Sequence, residues 1–200
     1  MPVFAQATEV YTGVGTTGFK LGLSHAMTEQ VGIRAEYNGM DYSRDINTSD
    51  IDYNGKIKFQ SAGLYLDFYP WLNNGFRVSA GALAGNNKIT ANGKANNGSF
   101  NINGTNYSAA GQSVSVSAEF PTVQPYVGLG YGFTPKRAGV GLFADLGVAY
   151  GKPSSQLTVS QGLLNQAGQS NVNAEQQKLQ DKLNDFRFYP VATIGISYAF

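Results

Sequence analysis

Few side chains in this sequence belong to the types that perform catalysis or bind metals. The chain has no cysteine and a single histidine, His25, which directly follows Ser24. A serine and a histidine could belong to a hydrolytic triad, but neighbouring residues of a strand point to opposite faces of a sheet. Without a second histidine or a thiol, a metal site is poorly supported. We therefore predict no catalytic residue, no metal site and no cofactor, and interpret the protein as not an enzyme.

A glycine motif near the N-terminus also has a chemical interpretation. Gly13-Val-Gly-Thr-Thr-Gly18 matches the dinucleotide-binding spacing G-x-G-x-x-G. That motif binds pyrophosphate only where a strand leads into the N-terminus of a helix. Here the following residues alternate as a strand does, so we interpret the match as a turn between strands.

Charged residues at inward positions of the predicted strands are the more informative set. Alternation along the strands sends three cations and three anions to the same interior. A balanced salt-bridge network that plugs the lumen is one interpretation, because unpaired buried charges are costly. A charged constriction that selects a small zwitterionic or cationic solute is the other. The predicted lumen-lining residues are Lys20, Arg34, Glu36, Asp67, Arg77 and Asp145.

The elements that position these charges are strands with an apolar face and a small or polar face. In the last stretch, Tyr189–Phe200, Ile194, Ile196 and Tyr198 alternate with Thr193, Gly195 and Ser197. In a soluble barrel the small, polar face would have to form the core, whereas in a membrane barrel the apolar face meets lipid. The terminal aromatic, Phe200, is typical of outer-membrane proteins and predicts a contact with the barrel-assembly machinery. An ordinary edge strand is the alternative.

The connections between predicted strands alternate strictly between short and long. This asymmetry is typical of an outer-membrane barrel, with short periplasmic turns and longer outer loops. With both termini on the periplasmic side the strand number must be even, which favours separating a short first strand at Gly15–Gly18 over one long strand, Val10–Ser24. The short connections are His25–Gln30, Leu72–Gly75 and Pro135–Gly139, and the long ones are Ser43–Gly55, Asn86–Ser113 and Lys152–Arg187.

The composition agrees with a membrane barrel. Charged residues make up 14% of the chain and the net charge is +1, which gives no reason to expect nucleic acid as a partner. No apolar run is long enough for a transmembrane helix. We therefore predict an all-β protein, an eight-stranded antiparallel up-and-down transmembrane β-barrel in the bacterial outer membrane.

Two segments fall outside the strand pattern. Residues 1–7 read as the remnant of a signal peptide or an artificial start of the chain, with an unstructured tail as the alternative, so that the barrel spans residues 8–200. In the third long loop, Val172, Leu179, Leu183 and Phe186 recur at helical spacing. They predict a short helix over Asn173–Phe186, capped near Asn171 or Asn173, which serves as a lid on the rim or as a partner-binding or lipid-surface helix.

Several short motifs, in order along the chain, resemble the CarO-type proteins, which are carbapenem-associated outer-membrane barrels. The motifs are Val14-Gly-Thr-Thr-Gly-Phe19, Tyr37-Asn-Gly39, Tyr69-Pro-Trp71, Asn103-Gly-Thr-Asn-Tyr107, Pro125-Tyr-Val-Gly-Leu-Gly130, Gly151-Lys-Pro153 and Tyr189-Pro-Val191. The chain departs from that family in a shorter N-terminus and in ending on Phe200 rather than tryptophan.

The resemblance implies an eight-stranded, porin-like barrel of a Gram-negative outer membrane and a role in the uptake of small solutes such as ornithine, other basic amino acids or carbapenems. It supplies no catalytic or binding residues. We expect a monomer in contact with outer-membrane lipids, lipopolysaccharide and a small polar solute. A non-conducting barrel that acts through its extracellular loops is the alternative function.

Overall fold

The computed structural model of the chain describes residues 8–71, 74–132 and 138–200. In these ranges the strands and helices follow in the order β1 (Thr8–Gly15), β2 (Gly18–Ala26), β3 (Val31–Asn47), β4 (Ile51–Phe68), β5 (Phe76–Ala95), β6 (Ser99–Ile102), β7 (Thr105–Ser108), β8 (Ser113–Glu119), β9 (Val123–Tyr131), β10 (Gly139–Tyr150), β11 (Ser154–Val159), α1 (Gln161–Ala167), α2 (Gln169–Asn184) and β12 (Phe188–Ala199).

Eight of these strands pair into a ring, which confirms the predicted barrel. Each strand is antiparallel to its neighbours, in the order β1, β2, β3, β4, β5, β9, β10 and β12, with β12 returning to β1. The pairing of Glu9 with Ala199 places both described chain ends at one end of the ring. The turn at residues 16 and 17 separates β1 from β2, so the predicted split of the first strand is confirmed.

The alternation read from the sequence decides which side chains face out. On β12, Ile194, Ile196 and Tyr198 are exposed, whereas Thr193 and Ser197 are buried inside the ring. The same pattern holds on the other strands, so the outside carries an apolar band suited to lipid. On this part of β12 the lumen receives the small and polar residues, as the sequence of the strand predicts.

Three strands of the ring continue far beyond the apolar band on the outer side. β3 and β4 stay paired from Val31–Phe68 to Asn47–Asp52, and β5 stays paired with β4 as far as Ala95. At Ala84 β5 stops pairing with β9, and from Lys88 onward it pairs with β8. β11 then joins β8, so the ring is extended by a five-stranded sheet, β3-β4-β5-β8-β11.

This extension corrects two of the predicted long loops. Ser43–Gly55 is not a loop, because strand pairing continues through it and only residues 48–50 form the connection. In Asn86–Ser113 the first ten residues belong to β5, and a small hairpin, β6-β7, occupies the middle. The prediction was wrong because no face of these segments has to meet lipid, so polar side chains no longer mark the end of a strand.

The third predicted loop, Lys152–Arg187, contains β11 and both helices. The predicted helix starts too late, because α2 begins at Gln169, and it ends at Asn184 rather than Phe186. Gly168, at a φ of 77°, is the N-cap, without a side-chain cap. The capping prediction at Asn171 or Asn173 is therefore wrong: Asn171 instead donates a hydrogen bond to the Ala167 carbonyl oxygen.

The outer sheet and the helices enclose a small core of their own. Leu157, Leu163 and Val172 are buried there with Ile102 and Ala167. Gln180 fixes α2 to β11 by accepting from the Ser155 N–H and donating to the Pro153 carbonyl oxygen. Among the described residues, no helix is both long and apolar enough to cross a membrane.

The structure describes two of the predicted short connections only in part, and it does not describe the N-terminal segment. Residues 1–7, residues 72–73 of the turn Leu72–Gly75, and residues 135–137 of the turn Pro135–Gly139 lie outside the described residues. The third short connection, between Ala26 and Val31, closes with hydrogen bonds from the Met27 and Thr28 N–H groups to the Val31 carbonyl oxygen.

A candidate functional site inside the barrel

The six charged residues singled out in the sequence lie together inside the ring. They come from five strands, β2, β3, β4, β5 and β10. Each is buried, with at most 6% of its surface exposed. An eight-stranded barrel is narrow enough for side chains from opposite walls to meet, and here they form one ion-pair network.

Arg34 is the centre of this network. Its Nε lies 3.0 Å from Asp67 Oδ2, and its Nη1 lies 3.1 Å from Asp145 Oδ2 and 3.9 Å from Glu36 Oε2. Its Nη2 also donates to Ser79 Oγ at 3.3 Å. One guanidinium on β3 therefore joins carboxylates from β3, β4 and β10, across the lumen.

Arg77 connects two of the same carboxylates from β5, two strands away from β3 in the ring. Its Nη2 donates to Asp145 Oδ1, and its Nε lies 3.8 Å from Asp67 Oδ2. Ser79, on the same inward face of β5, donates to Asp67 Oδ1. Two arginines and two aspartates thus form a closed four-membered set in which every charge meets two of opposite sign.

Glu36 is the second anchor of the network. Its Oε1 lies 2.9 Å from Lys20 Nζ. Its two oxygens also accept hydrogen bonds from the hydroxyls of Tyr11 and Tyr65, both at 2.8 Å, and from the Asn38 amide at 3.1 Å. The charge of this buried carboxylate is therefore compensated by Lys20, by the more distant Arg34 and by three neutral donors.

A glycine makes room for the Arg77–Asp145 bridge of the network. Gly130 on β9 lies directly between Arg77 on β5 and Asp145 on β10 in the strand register. A Cβ atom at position 130 would overlap Asp145 Oδ1 and would lie 2.7 Å from Arg77 Cζ. The missing side chain therefore allows the two partners to meet across β9.

Aromatic side chains close the lumen on the outer side of the charges. Tyr65 and Tyr126 meet edge to face, with ring centroids 5.0 Å apart. Nearer the outer mouth, Phe59, Phe120 and Tyr189 form a triangle with centroid distances of 5.8 to 6.2 Å. The outer half of the lumen is therefore filled with rings, and the middle with ion pairs.

The sequence analysis missed several members of the network. Asn38 and Ser79 share inward faces of β3 and β5 with predicted lumen residues, so strand parity alone could have found them. Glu9, two residues before Tyr11, is buried in the same interior with 4% of its surface exposed. With Glu9 the described part of the lumen holds four carboxylates and three cations.

The fold decides how to interpret the glycine motif Gly13–Gly18 and the pair Ser24 and His25. Gly13–Gly18 spans the turn between β1 and β2, so no helix begins there and the dinucleotide interpretation is excluded. Ser24 is buried in the lumen, while His25 lies at the end of β2 with its Nδ1 3.0 Å from Thr8 Oγ1. The serine and the histidine therefore face different ways, as strand parity predicts.

Comparisons with known proteins agree with the motif resemblance. No protein-family model and no curated protein matches the chain. Among solved structures it is similar to Acinetobacter baumannii CarO2, with a TM-score of 0.69 and 24% identity over 98% of this chain and 99% of that chain. It is also similar to Acinetobacter baumannii CarO, with a TM-score of 0.67 and 25% identity over 96% and 97% of the two chains.

A weaker likeness joins the chain to a major outer membrane protein from Thermus thermophilus, with a TM-score of 0.46 and 14% identity over 98% of this chain and 100% of that chain. The CarO-like barrel predicted from the motifs is thus matched by a likeness of fold to CarO and CarO2 over nearly the whole chain. The protein is a bacterial outer-membrane β-barrel.

Proposed function

We propose that this barrel admits small polar solutes passively across the outer membrane, with basic amino acids such as ornithine as the candidate solutes. The observation that carries the proposal is the ion-pair network of Arg34, Asp67, Arg77 and Asp145, which crosses the lumen. In this proposal the network closes the path at rest and forms the selective part of the path when solute enters.

The energetic cost of the network supports a functional role. Apolar side chains of similar size would fill a barrel as stably as buried ion pairs, or more so. Ionisable groups at membrane depth are for this reason a mark of solute or ion pathways. The seven charged side chains of the described lumen therefore favour a role in solute passage.

The pairing pattern explains how a solute could enter without leaving a buried charge unpaired. A zwitterionic amino acid brings one carboxylate and one ammonium group. Its carboxylate can replace Asp145 beside Arg77, while its ammonium group takes a position beside Asp145 or Asp67. Because Arg34 already contacts three carboxylates, it keeps a partner during the exchange.

The aromatic triangle is the outer barrier in this proposal. Phe120 is the member that lies outside the strands, in the connection between β8 and β9, whereas Phe59 and Tyr189 lie on β4 and β12. Movement of that short connection would open the outer mouth without breaking the ring of strands. The path to the ion pairs would then widen.

Flux into proteoliposomes tests the proposal. Liposomes that contain folded protein should swell in ornithine and arginine faster than in glutamate, because the described lumen has an excess of one carboxylate. Phe120→Ala should raise the rate for every solute severalfold, since it removes one ring of the barrier. Phe186→Ala is the matched control: Phe186 is 65% exposed outside the barrel, and its loss should leave the rates unchanged.

Absence of swelling in all four solutions of ornithine, arginine, glycine and glutamate would contradict the proposal if the Phe120→Ala variant is also inactive. The second candidate function would then apply, that of a non-conducting barrel that acts through its outer sheet. The observation in its favour is the filled lumen, in which Arg34, Asp67 and Arg77 are at most 2% exposed.

A further inference from the structure

The outward face of the long strands carries three kinds of side chain at increasing height: apolar, then charged, then mainly polar. Side chains at alternate positions of β3, β4 and β5 share the face that meets lipid lower down. In the register the rows are Tyr37-Ala62-Ala84, then Asp41-Lys58-Lys88-Glu119, then Asp45-Asn54-Asn92-Ser115-Thr158. Successive rows are four residues, or about 13 Å, apart along the strands.

The middle row, together with Lys56 two residues further out on β4, is a basic belt of three lysines and two carboxylates just above the apolar band. Asp41 of this row lies 3.9 Å from Lys56 Nζ. Lys58 and Lys88 are directly opposite each other on β4 and β5, an arrangement that is unfavourable for like charges unless an anion lies between them. Lys88 has an exposed partner in Glu119, but Lys58 makes no ion pair within the part of the chain that the structure describes. Lys58 therefore offers a position for a phosphate group.

The upper row borders a trough across the outer sheet. A cleft of about 470 Å³ runs over all five strands, from Asp45 on β3 to Thr158 on β11. Its second border is the next row, which includes Asp52, Lys94 and Ser113, and the backbone between the two rows forms the floor. Five strands and two rows give a trough about 19 Å long and about 7 Å wide, which matches a short chain of sugar rings.

Hydrogen bonds hold the first border in one orientation. Ser115 donates to Asn92, Asn92 donates to Asn54 through its Nδ2 at 3.3 Å, and Asn54 donates to Asp45. Each asparagine keeps one amide hydrogen, and Asp45 keeps free lone pairs. A fixed line of donors and acceptors over a flat floor is well suited to the hydroxyl groups of a saccharide.

The second border adds a positive charge. Lys94 is exposed and makes no ion pair with any described residue, although Asp52 is opposite it in the register. Asp52 instead accepts a hydrogen bond from Asn96 Nδ2 at 3.1 Å. The ammonium group of Lys94 is therefore available to an acidic substituent on a sugar.

We propose that this face binds the lipopolysaccharide of the surrounding outer leaflet, with its sugars in the trough. Lipopolysaccharide presents acyl chains, then phosphates, then acidic sugars with increasing height, and the protein presents an apolar band, the basic belt and the trough in the same order. The face points sideways over the membrane, because it continues the lipid-facing side of β3, β4 and β5. The binding is independent of whether the lumen conducts.

Binding of three ligands by detergent-solubilised, heat-modifiable protein tests this proposal: lipid A, delipidated core oligosaccharide, and the whole lipopolysaccharide. Asn92→Leu and Lys94→Met should each weaken oligosaccharide binding about tenfold, the effect of one lost hydrogen bond to a charged or polar ligand group. The double variant Lys58→Met/Lys88→Met should weaken lipid A binding but not oligosaccharide binding. The matched controls are Asn106→Leu on β7 and Lys178→Met on α2, both exposed and outside this face.

The proposal is overturned if core oligosaccharide does not bind at millimolar concentration, even when whole lipopolysaccharide does. It is also overturned if the trough variants and the control variants bind the oligosaccharide equally well. Equal affinity of the wild type and the Lys58→Met/Lys88→Met variant for lipid A would overturn the assignment of the phosphate groups to the basic belt.

Discussion

At the scale of single residues, the lumen is organised around two charged side chains, Arg34 and Glu36, each of which has several ion-pair or hydrogen-bond partners. Arg34 contacts three carboxylates, and its guanidinium also lies 4.8 Å from the centroid of the Tyr65 ring. Glu36 accepts from a lysine, two tyrosines and an asparagine. Removal of any one member of such a buried network should be strongly destabilising. The remaining partners would lose an opposite charge while staying buried away from water.

Removal of the Glu36 charge tests this cost. Glu36→Gln leaves Lys20 buried without a counter-charge, so we expect the free energy of unfolding to fall by about 3–5 kcal/mol. The matched change Glu119→Gln, in the exposed Lys88–Glu119 pair, should cost less than about 1 kcal/mol. Denaturant unfolding followed by the loss of heat modifiability measures both values.

A double variant then separates charge from shape in the same pair. Lys20→Met/Glu36→Gln removes both charges and should recover a large part of the loss. Equal unfolding free energies for wild type and Glu36→Gln would mean that the carboxylate is solvated, contrary to its burial in the structure.

The residue scale is also where the sequence was most informative. Alternation with a period of two predicts the inward face of each strand, and it placed Arg34, Asp67 and Asp145 on that face. It could not predict which of them meet, because partners across the lumen depend on the register of the whole ring. The tyrosine donors to Glu36 were missed for that reason, although Tyr65 shares the face of Asp67.

At the scale of secondary-structure elements, the wall of the barrel is shaped to the network. β9 contributes Gly130 where the neighbouring strands β5 and β10 contribute Arg77 and Asp145, and it contributes Gly128 two residues earlier. The ring of Tyr126 lies over Gly128, and the Arg77–Asp145 bridge lies over Gly130. The glycines of this strand therefore provide the volume that the lumen side chains occupy.

Gly130→Ala measures that role. The new Cβ would meet the Asp145 carboxylate and the Arg77 guanidinium at less than van der Waals distance, so we expect a loss of about 1–3 kcal/mol in unfolding free energy. Gly55→Ala is the matched control, because a Cβ at position 55 meets only the Arg44 carbonyl oxygen at 3.9 Å. Two variants of equal stability would show that the bridge has room to move aside.

The outer extension marks the limit of prediction at this scale. Strands in lipid are recognisable because one face must be apolar, but beyond the membrane that constraint ends. In Tyr42–Asn47 of β3 every residue is exposed, so the polar composition resembles that of a loop. Only the pairing with β4, which satisfies the backbone hydrogen bonds, makes this segment a strand.

At the scale of the whole molecule, the protein is a filled barrel below a separate outer layer. The strict alternation of short and long connections was sufficient to predict the ring. It was not sufficient to predict the five-stranded outer sheet, because the partners β8 and β11 lie in segments rich in serine, glutamine and glycine. The lumen and the outer sheet can be altered separately, since the ion-pair network and the trough share no residue.

The central claim is that solute passes through the ion-pair network, and selectivity of flux in Asp145→Asn tests it most directly. This change makes the lumen more positive by one charge, so the ratio of ornithine to glutamate swelling rates should fall severalfold relative to wild type. Asp181→Asn, an exposed change on α2, should leave that ratio unaltered. The same ratio in folded Asp145→Asn protein and in wild type would contradict the account, because a solute in contact with the network must respond to its charge.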